Sequence, residues 1–200
     1  MHSRAYLLIK RDLYLLQNSP VDGIDLEPIV DDNIFDLTLF LRPLKSSIWH
    51  GCIFRVFCSF NDTFNVQPPM LHFDSFHIPY HPNVDPITGR VSLSTNEKWT
   101  SRLTLRLLLE ELVSAFQTPN SKTTTNSDAM RMWKYRPNDY QTIIEEAVVK
   151  SRELMEIVNE EKSHIPETHP ISSKVKESKK KKHEIDSIDM FKMGSYFCFL

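Results

Sequence analysis

The residues best suited to chemistry lie between Tyr80 and Trp99, in the run Y-H-P-N-V-D-P-I-T-G-R-V-S-L-S-T-N-E-K-W. A His81-Pro-Asn83 turn comes first. A second turn runs from Pro86 to Gly89, and a short apolar step from Val91 to Leu93 follows, with Ser92 at its centre. A serine hydroxyl acts as a nucleophile only with a general base within hydrogen-bond reach. His81 is the nearest histidine in sequence and therefore the candidate base. Asn83 can hold the turn through an Asx-type bond to the local backbone.

Together these residues resemble the active-site segment of ubiquitin-conjugating enzymes, where a His-Pro-Asn tripeptide precedes the catalytic cysteine at a similar spacing and a tryptophan follows it. The run from His81 to Gly89 and the Asn96-Glu-Lys-Trp99 ending resemble the family's divergent U-type branch. Such a tripeptide alone is a weak signal; with Pro68-Pro69, Trp99 and the order of elements it is a strong one. The resemblance places Ser92 where the family carries its cysteine. It implies that Asn83 steadies an oxyanion or the active loop, and that His81 holds the turn.

The family's chemistry explains why that serine matters. Ubiquitin is accepted from an activating enzyme as a thioester and passed to a lysine or to a ligase cysteine. A thiol is partly ionised near neutral pH and intrinsically nucleophilic. A serine needs a base, and the oxyester it forms is a poorer acyl donor. Two acidic positions also depart from the family: Ser94 stands where many members have a carboxylate, and Ser121 to Thr125 contains none. Acidic groups there help to orient and deprotonate an incoming lysine.

The elements that position this segment follow from periodicity. Tyr6, Ile9, Leu13 and Leu16 carry helix spacing, with Ser3 as N-cap and Pro20 as terminator. Arg4 and Arg11, seven apart, share a face with Lys10 beside them. This is either a solvated basic stripe or, as the resemblance implies, the surface that docks the activating enzyme and overlaps the ligase site. Strands are predicted over Ile24 to Pro28, Ile34 to Leu41, Cys52 to Phe60 and Met70 to Phe73, forming an antiparallel meander. Val66 falls where many family members insert an aromatic into a RING-type ligase, and the resemblance puts Ser101 and Arg102 on the same surface. Asn65 replaces a proline usual there. Thr104 caps a central helix running to Phe116, with Leu105, Leu108, Leu109, Leu112 and Phe116 on one stripe. Two helices, Asp128 to Tyr135 and Asp139 to about Asn159, close the domain.

Length and composition agree with one domain over residues 1–160 and an appendage over 161–200, and the resemblance implies for that domain the family's α+β fold of N-terminal helix, four-stranded antiparallel meander, active-site loop, central helix and two C-terminal helices. The chain has 200 residues, 40% hydrophobic and 25% charged, with a net charge of −2, which disfavours a nucleic-acid partner. Three cysteines without a C-x-x-C pair indicate neither a disulfide framework nor a zinc site, and a reducing compartment. Cys52 and Cys58 fall on the core face of their strand. No apolar run reaches the roughly 20 residues of a membrane span. No cofactor is expected. The tail reads as disordered from composition; its lysine run, Lys179 to Lys182, is a nuclear-import candidate, so the localisation expected is cytoplasmic, nuclear or both. Met190 to Leu200 is apolar and lacks a prenylation box.

The functional expectation is a ubiquitin-pathway protein with impaired conjugating chemistry. It would bind ubiquitin or a related modifier, a RING-type ligase, or an active conjugating enzyme. The alternative is an active conjugating enzyme that transfers ubiquitin to lysine.

Overall fold

Ser3 opens the first helix: its hydroxyl accepts the Tyr6 N–H at 3.1 Å and satisfies one of the donors a helix start leaves unpaired. This helix, α1 (Arg4–Asn18), buries Ala5, Ile9, Asp12, Leu13 and Leu16. The computed structural model describes residues 3–29 and 33–149. The end of the last predicted helix and the whole of residues 161–200, with the lysine run, lie outside the described residues.

Four strands follow, β1 (Ile24–Leu26), β2 (Asp36–Leu41), β3 (Phe54–Ser59) and β4 (Met70–Phe73), each pairing antiparallel with the next in the order β1-β2-β3-β4. Alternation decides their faces. Leu37, Leu39, Leu41, Phe54, Val56, Cys58, Leu71 and Phe73 all turn into the core. The strands are shorter than the apolar runs suggest. Cys52 keeps its core position but stands before β3, after a turn at Gly51, where φ is 107°. Phe60 leaves the ladder after a final N–H bond to the Phe35 carbonyl, at 2.7 Å.

The central helix, α3 (Leu105–Ala115), begins at the predicted Thr104 cap and buries Leu105, Leu108, Leu109, Leu112, Val113 and Ala115 in the same apolar cluster as the inner sheet face. Phe116, just past its end, packs on Phe54 and Phe73 at ring separations of 5.6 and 5.7 Å. Between β4 and α3 lies a short helix that periodicity did not indicate, α2 (Ser94–Glu97). After α3, residues Ser121–Thr123 form a 3-10 turn. Helix α4 (Ser127–Tyr135) starts where the Asn126 side chain accepts the Ala129 N–H at 3.0 Å, and α5 runs over residues 137–149 with Tyr140, Ile144, Ala147 and Val148 buried. The result is an α+β fold with α1, α3 and α5 contributing to one core beneath an antiparallel sheet.

Candidate functional site

Ser92 is held by a small hairpin. Val84 pairs with Val91, the Asp85 N–H donates to the Arg90 carbonyl at 2.9 Å, and the Ser92 N–H donates to the Asn83 carbonyl at 2.9 Å. The hairpin is tied to β4 by bonds from the Val91 N–H to the Leu71 carbonyl and from the Phe73 N–H to the Gly89 carbonyl, both 2.9 Å. Its turn is built by Asp85, whose Oδ1 accepts the Ile87 N–H, the Thr88 N–H and the Thr88 hydroxyl at 3.0, 2.7 and 2.9 Å. Those bonds, the Thr88 N–H first, hold the Asp85 carboxyl below the usual carboxylate range. Gly89 closes the turn with φ of 69°, and a Cβ there would meet the Phe73 carbonyl oxygen at 2.8 Å.

The ring of His81 is fully engaged. Nε2 lies 3.0 Å from the Ala115 carbonyl, so it carries the proton and donates. Nδ1 accepts the Asn83 N–H at 3.1 Å. The imidazole stacks on Phe116 at 4.5 Å with 8° between planes. Burial drives its pKa down to about 4, against the opposing pull of the Ala115 carbonyl. Neither nitrogen has a lone pair to offer Ser92. His81 is a strut between the hairpin and the end of α3.

Asn83 is 0% exposed. Its Nδ2 donates to the Asn120 carbonyl at 2.6 Å and is shared between the Thr123 carbonyl and hydroxyl at 3.0 and 3.1 Å; its Oδ1 accepts the Asn120 N–H at 2.8 Å. The whole amide is spent on fastening the loop after α3 to the hairpin, and no N–H remains for an oxyanion in this arrangement.

Ser92 itself is half-buried and lines a groove of about 470 Å³ with Pro68, Pro69, Met70, Asp85, Arg90 and Glu97, among others. Its hydroxyl has no side-chain base bonded to it among the described residues. The next polar layer was invisible in the sequence. Glu111, reaching from α3, accepts the Ser94 and Thr95 N–H groups on its two oxygens, both at 2.8 Å, and so caps α2. Asn120 Nδ2 donates to the Ser94 hydroxyl at 2.7 Å. The segment after Ser92 is thereby tied to both α3 and the following loop. The loop from Ser121 to Thr125 offers no carboxylate, as read, but Asp85 and Glu97 place two on the groove.

The candidate docking residues divide into two groups. Two buried polar side chains tie the segments that carry Arg11, Val66, Ser101 and Arg102 to the start of α3. Asp12, 2% exposed, takes the Arg11 guanidinium at 2.8 Å on one oxygen and the Leu105 N–H at 3.1 Å on the other, joining α1 to the start of α3. Asn65 donates to the Ser101 and Leu103 carbonyls at 3.0 and 3.1 Å, while its own carbonyl accepts the Trp99 indole N–H at 3.1 Å. That brace leaves the adjacent Val66 69% exposed beside the exposed Ser101 and Arg102. Arg4 and Lys10 stay on the solvent side of α1 without such a tie among the described residues, Lys10 standing over the Tyr6 ring at 5.9 Å.

Cys52 and Cys58 are buried, and burial pushes the Cys58 thiol far above its ordinary value. Among the described residues, no group of three or more His, Cys, Asp or Glu side chains could hold a metal, and no helix is long and apolar enough to cross a membrane.

The family model for ubiquitin-conjugating enzymes matches residues 8–148. Ubiquitin-conjugating enzyme E2 U of Macaca fascicularis and that of Homo sapiens are each 33% identical over 147 residues, covering 72% of this chain and 45% of theirs. The chain thus spans less than half the length of those relatives. Ubiquitin-conjugating enzyme E2 13 of Arabidopsis thaliana is 27% identical over 168 residues, 77% of this chain and 99% of its own. Among solved structures, one described as a novel ubiquitin-conjugating enzyme superposes with a TM-score of 0.60 at 32% identity, covering 72% of this chain and 94% of that one. A Plasmodium yoelii structure shares the fold with a TM-score of 0.63 at 21% identity.

Proposed function

Because the chain belongs to the ubiquitin-conjugating enzyme family, we propose that it serves the ubiquitin pathway as a binding variant that does not carry ubiquitin as a thioester. One observation supports this above the rest: Ser92 stands in the hairpin after the His-Pro-Asn turn with no side-chain base bonded to its hydroxyl among the described residues, and both nitrogens of His81 are bonded elsewhere. An unactivated alcohol is almost wholly protonated near neutral pH and attacks an acyl donor poorly. The two core cysteines are buried and inert and do not substitute for it. A binding role draws support from the scaffold beside the candidate docking residues Arg11, Val66, Ser101 and Arg102, whose segments Asp12 and Asn65 tie to the start of α3. The partners proposed for it are an activating enzyme, a RING-type ligase or an active conjugating enzyme, and ubiquitin or a related modifier.

The test is incubation of the wild-type chain with ubiquitin-activating enzyme, ATP and ubiquitin, resolved on gels with and without thiol, beside titration of a RING domain followed by NMR. The expected outcome is no thiol-sensitive adduct, with RING-induced shifts clustered at Arg11, Val66, Ser101 and Arg102. A reducible adduct on Cys52 or Cys58, or a thiol-resistant, alkali-labile ester on Ser92, would refute the binding-only reading and restore the chain to the enzymes.

A further inference from the structure

A second cavity, of about 420 Å³, shares no lining residue with the groove at Ser92. Its wall is assembled from separate stretches of chain. Trp49 and Phe54 come from the entry to β3, Tyr80 stands just before His81, Pro86 lies in the hairpin turn, and Ile143 and Ala147 reach in from α5. The volume falls within the range of small-molecule sites, about 300–1,000 Å³.

The wall is set before anything enters. Trp49 meets Phe54 edge to face at 5.6 Å and Phe116 at 5.8 Å. Tyr80 packs on Tyr140 at 6.1 Å, and the Tyr140 hydroxyl donates to the Tyr80 carbonyl at 3.2 Å. Trp49, Phe54 and Tyr140 are buried. Rings held in this way keep their rotamers, so little binding free energy is lost to ordering them. No charged side chain lines the cavity.

Asn126 supplies the polar contact. It lines the cavity and is only 5% exposed. Its other groups are spent. Oδ1 caps α4 by accepting the Ala129 N–H at 3.0 Å, the backbone N–H donates to the Pro82 carbonyl at 3.1 Å, and the backbone carbonyl accepts the Met130 N–H at 3.1 Å. Nδ2 donates to nothing among the described residues. A helix cap needs only the oxygen, which aspartate, serine or threonine would provide equally. The asparagine adds a donor that the cap does not use. A nearly buried amide donor left without an acceptor costs free energy that an incoming oxygen recovers.

We propose that this cavity binds a neutral, largely aromatic small molecule whose carbonyl oxygen accepts a hydrogen bond from Asn126 Nδ2 while its rings lie against Trp49, Phe54 and Ile143. A carboxylate in the same place is disfavoured, because the wall holds no cation to offset its desolvation. The site stands apart from the chemistry of Ser92, so success or failure of ubiquitin charging leaves it unaffected.

The test is an NMR titration of the full chain, labelled at alanine and isoleucine methyl groups and at nitrogen. Two probes carry the same ring system: N-methyl-2-naphthamide, which is neutral, and 2-naphthoate, which is charged. The neutral probe should shift the Ile143 and Ala147 methyls and the Asn126 side-chain amide, and bind at least tenfold more tightly than the carboxylate. Asn126→Asp keeps the oxygen that caps α4 and removes the donor, and should weaken binding of the neutral probe by about tenfold. Because that probe is uncharged, the new carboxylate acts on it chiefly through the lost hydrogen bond. The comparison of probes on the wild-type chain holds without any variant. Unmoved methyls at the probe's solubility limit, equal affinity for the two probes, or a change of less than twofold in Asn126→Asp overturns the proposal.

Discussion

His81 illustrates what one side chain costs and returns. Its neutral ring is held by a donor on one side, an acceptor on the other and an aromatic face beneath. Because its folded pKa is depressed to about 4 from an ordinary 6.5, protons bind the unfolded chain first as pH falls. The folded state therefore keeps its full stability above about pH 6.5 and loses it as pH drops through the window down to about 4. At 1.36 kcal/mol per pKa unit the loss is on the order of 3 kcal/mol. Urea unfolding of the wild type and of His81→Asn, followed from pH 7 to 4, should show this steep acid branch only in the wild type. Equal slopes would mean that the ring is solvated. Asn83 could be read from its turn, yet the destination of its amide could not. Its partners, Asn120 and Thr123, are set by a loop that returns from the far side of α3.

At the scale of elements, the helices and strands were legible because each has a local cause. Stripes at helix spacing bury α1 and α3, alternation fixes β2 and β3, and Ser3 and Thr104 cap where capping residues stand. The short helix α2 was not legible, because its cap is Glu111, a side chain supplied by another element. Asp12 did leave a trace: it is a charged residue on the buried stripe of α1, between Ile9 and Leu13. Such a residue persists only with partners, here Arg11 and the first N–H of α3. Asp12→Ala should destabilise the domain by about 1–3 kcal/mol, the cost of a buried donor left unpaired. Asp12→Asn, which retains an acceptor for Leu105, should recover most of it. Denaturant midpoints measure both, and an Asn variant no better than Ala would assign the stabilisation to the Arg11 pair instead.

Over the whole molecule, the sheet and the site are joined by very different lengths of chain. Every strand of the meander pairs with its sequence neighbour. The site, by contrast, is closed by contacts between distant residues: Asn83 with Asn120 and Thr123, Asn65 with Ser101, Asp12 with Leu105. Short loops close at lower entropic cost than long ones, so local pairings are favoured early in folding. The order of assembly expected from this has the β1–β4 meander formed in the folding transition state and the groove around Ser92 locked only on the native side of that barrier. Asn83→Ala, losing about 2 kcal/mol from its buried bonds, should then speed unfolding by about thirtyfold and hardly alter refolding. Stopped-flow chevrons would show the change on the unfolding arm alone; a slowed refolding arm would place the His-Pro-Asn hairpin in the folding nucleus.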